Sequence, residues 1–560
     1  MKKLLIVAIC FVSLFMYPFV SSAHHEGPGY IPSLFNEYTQ TNLIYYTNYA
    51  SGMPDDWLAS RYSKTISDVD HIRPVFDGQV SGDTIPDTSR SVLSEQTQVC
   101  LLCHKKSTPG IVEDWLTSRH SKITPDLALS KPVLERRISS DTIPENFRSV
   151  VVGCYECHGQ NASAHNDNFE HFGFRINVIV SPNDCRTCHP VEADQFAMSK
   201  KAHALDNLQK NPLYHTMVET GLSSKGSSDG TIISITATEN SRAESCYSCH
   251  GTEVTVNGMK KVFTPSGDIE VPNLTNWPNQ GVGRINPDGS SGACTACHPR
   301  HSFSIEIARK PYTCSQCHLE PDTPAFEVYE ESKHGNIFNS KQHEWNWNNV
   351  PWRIGKDFQA PTCATCHNSL ITTSDGRVVA QRTHDFGSRM WVRLFGLPYS
   401  HPQPKSGKTY EIKNKDGQPL PVTFTGEPAS EYLISNEEQM QRQNEMKAIC
   451  RGCHSTDWIN GHFAKMDITI AETDKAVLAA TQLLQKMWNA GLADPSNPFD
   501  EIIENDWVKQ WLYYANSVRF GSAMGGYDYT TFKNGWLELT ANLRKMHDFI
   551  ETHINVSIDK

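Results

Sequence analysis

The chain has little apolar character and no long block of like charge. Only 38% of its 560 residues are hydrophobic. After residue 23 no stretch is long and apolar enough to cross a bilayer, which takes about 20 such residues. The net charge is −11. Because nucleic acid is bound mainly through cations that contact phosphates, this charge argues against a nucleic-acid partner.

The first 23 residues are the exception to this low apolar content. Lys2 and Lys3 precede the run LLIVAICFVSLFMYPFV, and small residues follow it up to Ala23. This order is typical of a secretory signal, which we predict over residues 1–23 with cleavage after Ala23. The alternative is an uncleaved membrane anchor. A signal predicts an exported protein without a transmembrane segment in its mature part.

After that segment no cysteine stands alone. Of 17 cysteines, Cys10 lies in the predicted signal, and the other sixteen form eight C-x-x-C pairs, each followed at once by histidine. This is the attachment motif of c-type haem, in which two thiols bond one porphyrin and the histidine binds its iron. Numbered along the chain, the motifs are Cys100–Cys103–His104, Cys154–Cys157–His158, Cys185–Cys188–His189, Cys246–Cys249–His250, Cys294–Cys297–His298, Cys314–Cys317–His318, Cys363–Cys366–His367 and Cys450–Cys453–His454.

Two other uses of paired cysteines compete with haem attachment. An exported protein can form disulfides, and such pairs also bind zinc. Neither use explains a histidine after all eight pairs. We therefore predict eight covalently bound haem c groups, whose flat apolar bodies would form much of the core and explain the low apolar content.

Haem iron in electron-transfer sites usually takes a second axial ligand. Fourteen histidines remain beyond the motifs and the signal junction, and several follow a serine closely, as in LTSRHSK, MSKKAHA and EESKHGN. For each one the alternative is an ordinary core or surface histidine. Our predicted distal ligands are His120, His165, His203, His215, His301, His334, His343 and His384.

A diverged internal repeat contains one of these predicted ligands. DWLASRYSK (56–64) resembles DWLTSRHSK (114–122), and DTIP, RSV and a C-x-x-C-H motif follow both. Tyr62 in the first copy stands where His120 stands in the second. The first copy is therefore not expected to supply an axial ligand.

Pattern along the chain predicts three regions after the signal. Residues 24–460 alternate short helices with Gly/Pro/Asn-rich connections and form the predicted haem-binding domain. Within it, residues 401–430 predict a β-hairpin around KDGQ, with an irregular loop as the alternative. Residues 461–560 show apolar residues at helical spacing and predict a helical oligomerisation region. Its tyrosines are better explained by packing than by catalysis: Tyr513, Tyr514, Tyr527 and Tyr529.

The motif number and two intervening stretches resemble the octahaem hydroxylamine oxidoreductase (HAO) family. These stretches are WPNQGVGRINPDGSSGACTACHPRHSFSIEIARKPYTCSQCHLEPDTP and CRGCHSTDWINGHF. The resemblance implies a mainly α multihaem fold with little β structure and a long C-terminal helical bundle. It also implies a homotrimer, seven bis-histidine haems, and a catalytic fourth haem on His250 with an open distal face.

The same resemblance implies a chemistry and a location. Substrates would be small nitrogen compounds such as nitrite, nitric oxide, hydroxylamine or hydrazine, and a small c-type cytochrome would be the redox partner. Close relatives occur in anaerobic ammonium oxidisers. The compartment would therefore be the periplasm or the lumen of the anammoxosome, the internal organelle of those bacteria.

Position 462 distinguishes this chain from the oxidative members of that family. Those members resemble it around Trp458 and Phe463 but carry a haem-cross-linking tyrosine where His462 stands here. The resemblance therefore favours the branch that works reductively. His462 is a candidate proton donor, because its ordinary pKa of about 6.5 suits neutral pH, or else it fills space. Asp322 is a second candidate for the distal pocket; the alternative is a solvated loop aspartate.

Three functions remain open on the sequence. The first is reduction of nitrite, nitric oxide or hydroxylamine at the haem on His250. The second is oxidation of hydroxylamine or hydrazine at the same site. The third is a non-enzymatic electron conduit, which would require a sixth ligand on all eight irons.

Overall fold

The computed structural model describes residues 92–264 and 267–558. These residues belong to the unit Arg90–Lys560. The predicted signal segment and Tyr62 of the first repeat copy lie outside the described residues. Within the described ranges, no helix combines the length and the apolar character needed to cross a membrane.

Helices dominate the fold, and most of them are short. About 48% of the residues are helical and 12% lie in strands, so the predicted mainly α class is confirmed. The α-helices are Glu95–Ser107, Pro109–Thr117, Pro125–Leu129, Glu145–Arg148, Cys154–His158, Pro182–Cys185, Pro190–Met198, Ala204–Gln209, Pro212–Leu222, Glu239–Ala243, Cys246–His250, Ile305–Arg309, Pro311–Ser315, Ala325–Glu331, Lys333–Lys341, Cys363–His367, Asn436–Cys450, Thr456–Asn489, Ile502–Val508, Ala515–Met524, Tyr527–Thr531 and Trp536–Ile558.

The strands form small sheets that are almost all antiparallel. Four of the five sheets have two strands each. The pairs are Asn168–His171 with Phe174–Asn177, Ser224–Ser228 with Thr231–Ile235, Thr255–Thr264 with Gly267–Thr275, and Val392–Arg393 with His401–Pro402. The fifth sheet joins Trp352–Arg353, Ile371–Thr372 and Val378–Ala380.

The predicted hairpin over 401–430 is wrong. The turn at KDGQ exists, with Gly417 at φ 76° and its N–H bonded to the Asn414 carbonyl. Its flanks do not pair as strands, because Pro419 and Pro421 have no N–H to donate to a ladder. Asn414 instead bonds the backbone locally: its side chain accepts the Gln418 N–H and donates to the Val422 carbonyl.

The predicted C-terminal helical region is dominated by one long helix. It begins at Thr456, before the predicted boundary at 461, where the Ser455 hydroxyl accepts the Trp458 N–H. Its buried residues recur every three or four positions, as an amphipathic helix requires: Ile459, Phe463, Met466, Ile470, Thr473, Val477, Ala480, Thr481, Leu484 and Met487. The helix ends at Asn489, before Gly491 at φ 68°.

This region has an apolar core that needs no cofactor. Leu484, Trp507 and Trp511 are fully buried there, against Trp536–Ile558 and the 397–422 segment. Full burial of one such side chain contributes about 1.5–3 kcal/mol. A π-helical turn, Lys509–Tyr514, joins Ile502–Val508 to Ala515–Met524. Its wider turn shifts the helix register and determines where Tyr513 points.

Candidate haem sites and the fourth motif

Three of the C-x-x-C-H motifs are single helical turns. Cys154–His158, Cys246–His250 and Cys363–His367 each form a five-residue α-helix. Residues three apart lie on the same side of a helix, so both thiols of a motif face one direction. The histidine that follows lies at the end of this turn. The local fold thus supplies what attachment of one porphyrin requires.

Four motif histidines face a second imidazole across a gap of constant width. The ring centroids are separated as follows: His104 and His171 by 6.2 Å, His189 and His120 by 6.3 Å, His298 and His384 by 6.4 Å, and His454 and His334 by 6.1 Å. An iron bonded to two imidazoles at about 2 Å holds their ring centres roughly 6 Å apart. The four gaps therefore fit a haem iron.

Burial prepares these rings for metal binding, which requires neutral imidazole. Burial, followed by the charges of nearby histidines, lowers the pKa of His120 to about 3 and those of His298 and His384 to about 4. Nδ1 is buried without a hydrogen-bond partner in His120 and His384, and also in His203.

Other histidines are oriented through Nδ1, which leaves Nε2 free. His104 Nδ1 lies 2.8 Å from Thr108 Oγ1, and His158 Nδ1 lies 2.8 Å from the Asn177 carbonyl oxygen. The same arrangement is found at His401, which is 3% exposed and has Nδ1 2.7 Å from the Pro402 carbonyl oxygen. A backbone bond of this kind fixes the ring of a metal-binding histidine.

His165 is placed differently from the other predicted ligands. Its Nδ1 lies 3.2 Å from Asp167, and its Nε2 lies 3.3 Å from Asp184 and 4.0 Å from Asp288. Burial alone would lower its pKa, but the carboxylates outweigh this and raise the pKa to about 10. The ring is an imidazolium with both nitrogens engaged, so the structure removes it from the ligand set.

Three more of the predicted ligands do not face a motif histidine. His215 is exposed, and His343 lies on the surface 3.8 Å from Glu344. His203 is partly buried, among the charges of Lys408, Asp206 and Glu411.

His301 is better placed. Burial and then the charges of His158 and Arg300 lower its pKa to about 4, so it lies near the second motif.

His250 of the fourth motif is held from one side by a glycine-rich loop. The Val282 and Gly283 N–H groups donate to the Cys249 and His250 carbonyls at 3.0 and 3.2 Å. A Cβ on Gly283 would lie 2.7 Å from the His250 oxygen, so only glycine fits. Gly251, at φ 104°, allows the turn after the motif. In the part of the chain that the structure describes, no imidazole lies across a 6 Å gap from His250.

Asp322 lies beside the fourth motif. Burial raises the pKa of its carboxyl. Hydrogen bonds from its own backbone and from that of Thr323 lower the pKa, but burial is the larger effect. Its charge acts on the thiols of Cys246 and Cys249 and on the Tyr513 phenol. The structure therefore groups a carboxyl with a raised pKa, a tyrosine from the π-helical turn and the fourth motif. The sequence indicated Asp322 but not Tyr513.

His462 lies beside the eighth motif within its own chain. On the long helix its ring stacks on Trp458 at 5.3 Å, and Trp458 stacks on His454 at 4.1 Å. Its Nε2 lies 3.1 Å from the Ala523 carbonyl oxygen. Burial lowers its pKa, so the ring is neutral and donates its N–H to Ala523. These contacts favour the space-filling alternative over proton donation.

Thiols of different motifs lie against one another and connect all eight. Thiol pairs close enough to shift each other's pKa join motifs 1 and 2, 3 and 5, 4 and 6, and 6 and 7; the pairs are Cys100 with Cys154, Cys185 with Cys294, Cys249 with Cys317, and Cys314 with Cys363. Neighbouring thiols complete the series, namely Cys157 with Cys188, Cys297 with Cys314, and Cys366 with Cys450. The order is 1–2–3–5–6–7–8, with motif 4 attached to motif 6.

Comparison with known proteins agrees with this arrangement. Residues 288–383 match the family model described as seven times multi-haem cytochrome CxxCH, and residues 184–270 match that of cytochrome c554 and c-prime. A solved structure described as a hypothetical multiheme protein is 43% identical, with a TM-score of 0.79, and the match covers 83% of this chain and 97% of that one. The chain belongs to the HAO-like multihaem cytochromes c.

Two relatives from Kuenenia stuttgartiensis are more distant from this HAO-like cytochrome. A probable nitrite reductase-hydroxylamine oxidoreductase fusion protein is 23% identical over 414 residues, which is 71% of this chain; the chain spans 38% of that protein's length. A reducing HAO-like protein complex shares the fold, with a TM-score of 0.54 at 18% identity and coverage of 83% and 86% of the two chains. Covalent haem c binding and a mainly α multihaem fold follow from these comparisons.

The pairing of His171 with the first motif can be tested by spectroscopy. His171→Ala should remove one axial ligand, so one haem equivalent of this HAO-like cytochrome should become high-spin and bind carbon monoxide. Electron paramagnetic resonance of the oxidised holoprotein measures this change. His215→Ala is the control, because its exposed ring faces no motif and its spectrum should stay unchanged. A high-spin signal from the control alone would contradict the pairing.

Substitution of His462 separates its two candidate roles. His462→Ala should lower the unfolding free energy by about 1–2 kcal/mol, through loss of one hydrogen bond and one ring stack, and leave turnover within about twofold. His462→Gln can still donate to Ala523 and should recover part of that stability. A loss of about tenfold or more in nitrite or hydroxylamine reduction at unchanged stability would instead support the proton donor.

Proposed function

We propose that this protein is an octahaem oxidoreductase that reduces small nitrogen compounds at the haem of the fourth motif. One observation carries the proposal: the partly buried carboxyl of Asp322, whose pKa is raised, lies beside the cysteines of the fourth motif. In the described residues His250, like His158, His318 and His367, faces no second imidazole at the 6.1–6.4 Å separation found at the other four motifs. An open sixth position with a nearby acid is what reduction of a small ligand requires. An electron conduit would instead need a sixth ligand at this motif.

The remaining haems are proposed as six-coordinate carriers. Four have the ligand pairs with centroid separations of 6.1–6.4 Å. For the second motif, with His158, we propose His301, because their charges interact. For the seventh, the charges nearest to His367 are those of Lys201 and Arg389, and none of the described imidazoles is assigned to it. His171 does not follow a motif at a recognisable spacing, so the sequence did not predict it as a ligand.

The groups of this chain that surround the fourth motif suit substrate reduction. A c-type haem supplies electrons to a ligand bound at its iron. Each reduction of nitrite, nitric oxide or hydroxylamine consumes protons as well. Asp322 holds a proton to higher pH than an ordinary aspartate and would be able to release it beside the fourth motif. Arg393, whose charge acts on His250, adds positive potential that favours the nitrite anion.

The thiol contacts give electrons a continuous route to this site. The series ends at motifs 1 and 8, where Cys103 and Cys453 are exposed. We therefore propose that a small c-type cytochrome docks at one of these ends. The route reaches motif 4 only through motif 6, by way of Cys249 and Cys317. The net charge of −11 suits a basic partner.

Assembly and location remain proposals. The C-terminal helices expose several large apolar residues, which are enriched where subunits meet: Trp458 (52% exposed), Ile468 (60%), Tyr527 (73%), Phe532 (61%) and Leu537 (53%). Together with the resemblance to HAO, they support a homotrimer formed by this region. The signal-like first 23 residues support export to the periplasm or the anammoxosome lumen.

Steady-state kinetics test the proposed activity. The holoprotein should reduce nitrite, nitric oxide or hydroxylamine with a reduced electron donor, and should bind carbon monoxide at about one haem equivalent, since one iron is open. Hydrazine or hydroxylamine with an oxidised acceptor tests the second candidate, which the same site would serve in reverse. Turnover only in that direction would refute the reductase, and no carbon monoxide binding would favour the conduit.

Asp322 gives the activity a defined pH dependence. Because burial raises its pKa, its proton is lost at a pH above the ordinary aspartate value of about 3.9, and turnover should fall as pH rises through that raised pKa. Asp322→Asn should lower turnover by about 10²–10⁴ and abolish this limb of the pH profile. Asp375→Asn, in an exposed turn, is the matched control. An unchanged profile in Asp322→Asn would remove the proton-donor role.

A further inference from the structure

Three short helices in the described part of the chain end in the same serine turn. They are Pro109–Thr117, Pro190–Met198 and Ala325–Glu331, and the residue after each is Ser118, Ser199 and Ser332. Each serine donates its backbone N–H at 3.0 Å and its hydroxyl at 2.6 Å to the carbonyl three residues before it. Their ψ angles are 159°, 155° and 162°. The three turns are therefore structurally equivalent.

In two of these turns the residue two positions after the serine is a histidine that faces a motif histidine. After Ser118 it is His120, which faces the third motif's His189 at 6.3 Å. After Ser332 it is His334, which faces the eighth motif's His454 at 6.1 Å. The turn ends the helix and directs this side chain across a haem-sized gap. The position is that of a distal ligand.

After Ser199 the equivalent residue is Lys201. Its Nζ lies 3.2 Å from Nε2 of His318, the histidine of the sixth motif. Nε2 is the nitrogen that a C-x-x-C-H histidine offers to iron. Lys201 therefore lies at the sixth motif's histidine as His120 lies at the third's and His334 at the eighth's. At 3.2 Å the two nitrogens are in hydrogen-bond contact, and they would have to separate to about 4 Å to hold an iron between them.

The rest of Lys201's surroundings fit a ligand better than an ion pair. In the ranges that the structure describes, no carboxylate lies within 4.0 Å of its Nζ; the group instead faces the Phe386 ring at 5.1 Å and His318. His203, the histidine predicted for this region, lies among Lys408, Asp206 and Glu411 instead. A neutral lysine amine has one lone pair and can bind a metal as an imidazole does.

We propose that Lys201 Nζ is the sixth ligand of the haem bound by Cys314, Cys317 and His318, which makes that haem a histidine–lysine site among bis-histidine ones. The proposal depends on haem attachment at the sixth motif and not on the substrate of the fourth. It departs from the expectation that seven haems carry two histidines, and it gives the predicted distal ligand His203 no part at His318.

Low-temperature electron paramagnetic resonance and near-infrared magnetic circular dichroism of the oxidised holoprotein test the ligand directly, because both depend on the axial pair. The unaltered protein should show one haem equivalent of a low-spin signal distinct from the bis-histidine signals. Lys201→His should convert that signal to a bis-histidine one. Lys201→Ala should convert it to a high-spin haem that binds carbon monoxide. Haem content per chain confirms that each variant is assembled.

Two neighbours serve as controls. Lys200→Ala removes the adjacent lysine, which is partly buried beside Arg393 and Asp385 and is not among the charges that act on His318, so the low-spin signal of the sixth motif should stay unchanged. His203→Ala should also leave the low-spin signals intact. Spectra that are unaltered by both Lys201 substitutions would overturn the proposal, as would a high-spin haem produced by His203→Ala. Since neither readout measures turnover, a protein inactive on nitrogen compounds can still confirm the ligand.

Discussion

Pairs of imidazoles held a fixed distance apart join segments of the fold that are distant in sequence. Four such pairs have ring centres 6.1–6.4 Å apart, although the two members of a pair lie as far apart in sequence as His334 and His454. An iron that bonds both members ties the segments together, which short helices alone do not do. This explains why the region before residue 436 has little regular structure. The C-terminal helices, by contrast, bury Leu484, Trp507 and Trp511 in a core of their own.

The features that could be predicted from the sequence are those whose pattern lies within a short stretch of the chain. A C-x-x-C-H motif lies within one helical turn, so attachment points can be read without tertiary information. The long C-terminal helix was also predictable, because its apolar residues recur at helical spacing. The hairpin failed because alternation was given more weight than Pro419 and Pro421. Prolines without an N–H exclude a strand more firmly than alternation predicts one.

A distal ligand lies far in sequence from the motif that it faces. Only some of these ligands are therefore marked by a pattern in the sequence. His120 and His334 follow the serine turn, so a pattern in sequence marked their position. His165 has no such turn, and only the structure shows that three carboxylates surround it. His171 lies at the end of a strand that no ligand pattern describes. The serine pattern also occurs in MSKKAHA. There the residue two positions after the serine is Lys201, so a prediction based on histidines alone selects His203 instead.

The identity of the ligand at the sixth motif matters because of where that motif lies. Its thiols touch or neighbour those of the fourth, fifth and seventh motifs through Cys249, Cys297 and Cys363. Every electron that reaches the fourth motif by this route must pass through it. Axial ligand identity is a main determinant of haem potential. A lysine in place of one imidazole would give this branch point a potential different from those of its bis-histidine neighbours, and so would bias the direction in which electrons leave it. With Lys201 as that ligand, a local serine turn would influence the direction of electron flow through the chain.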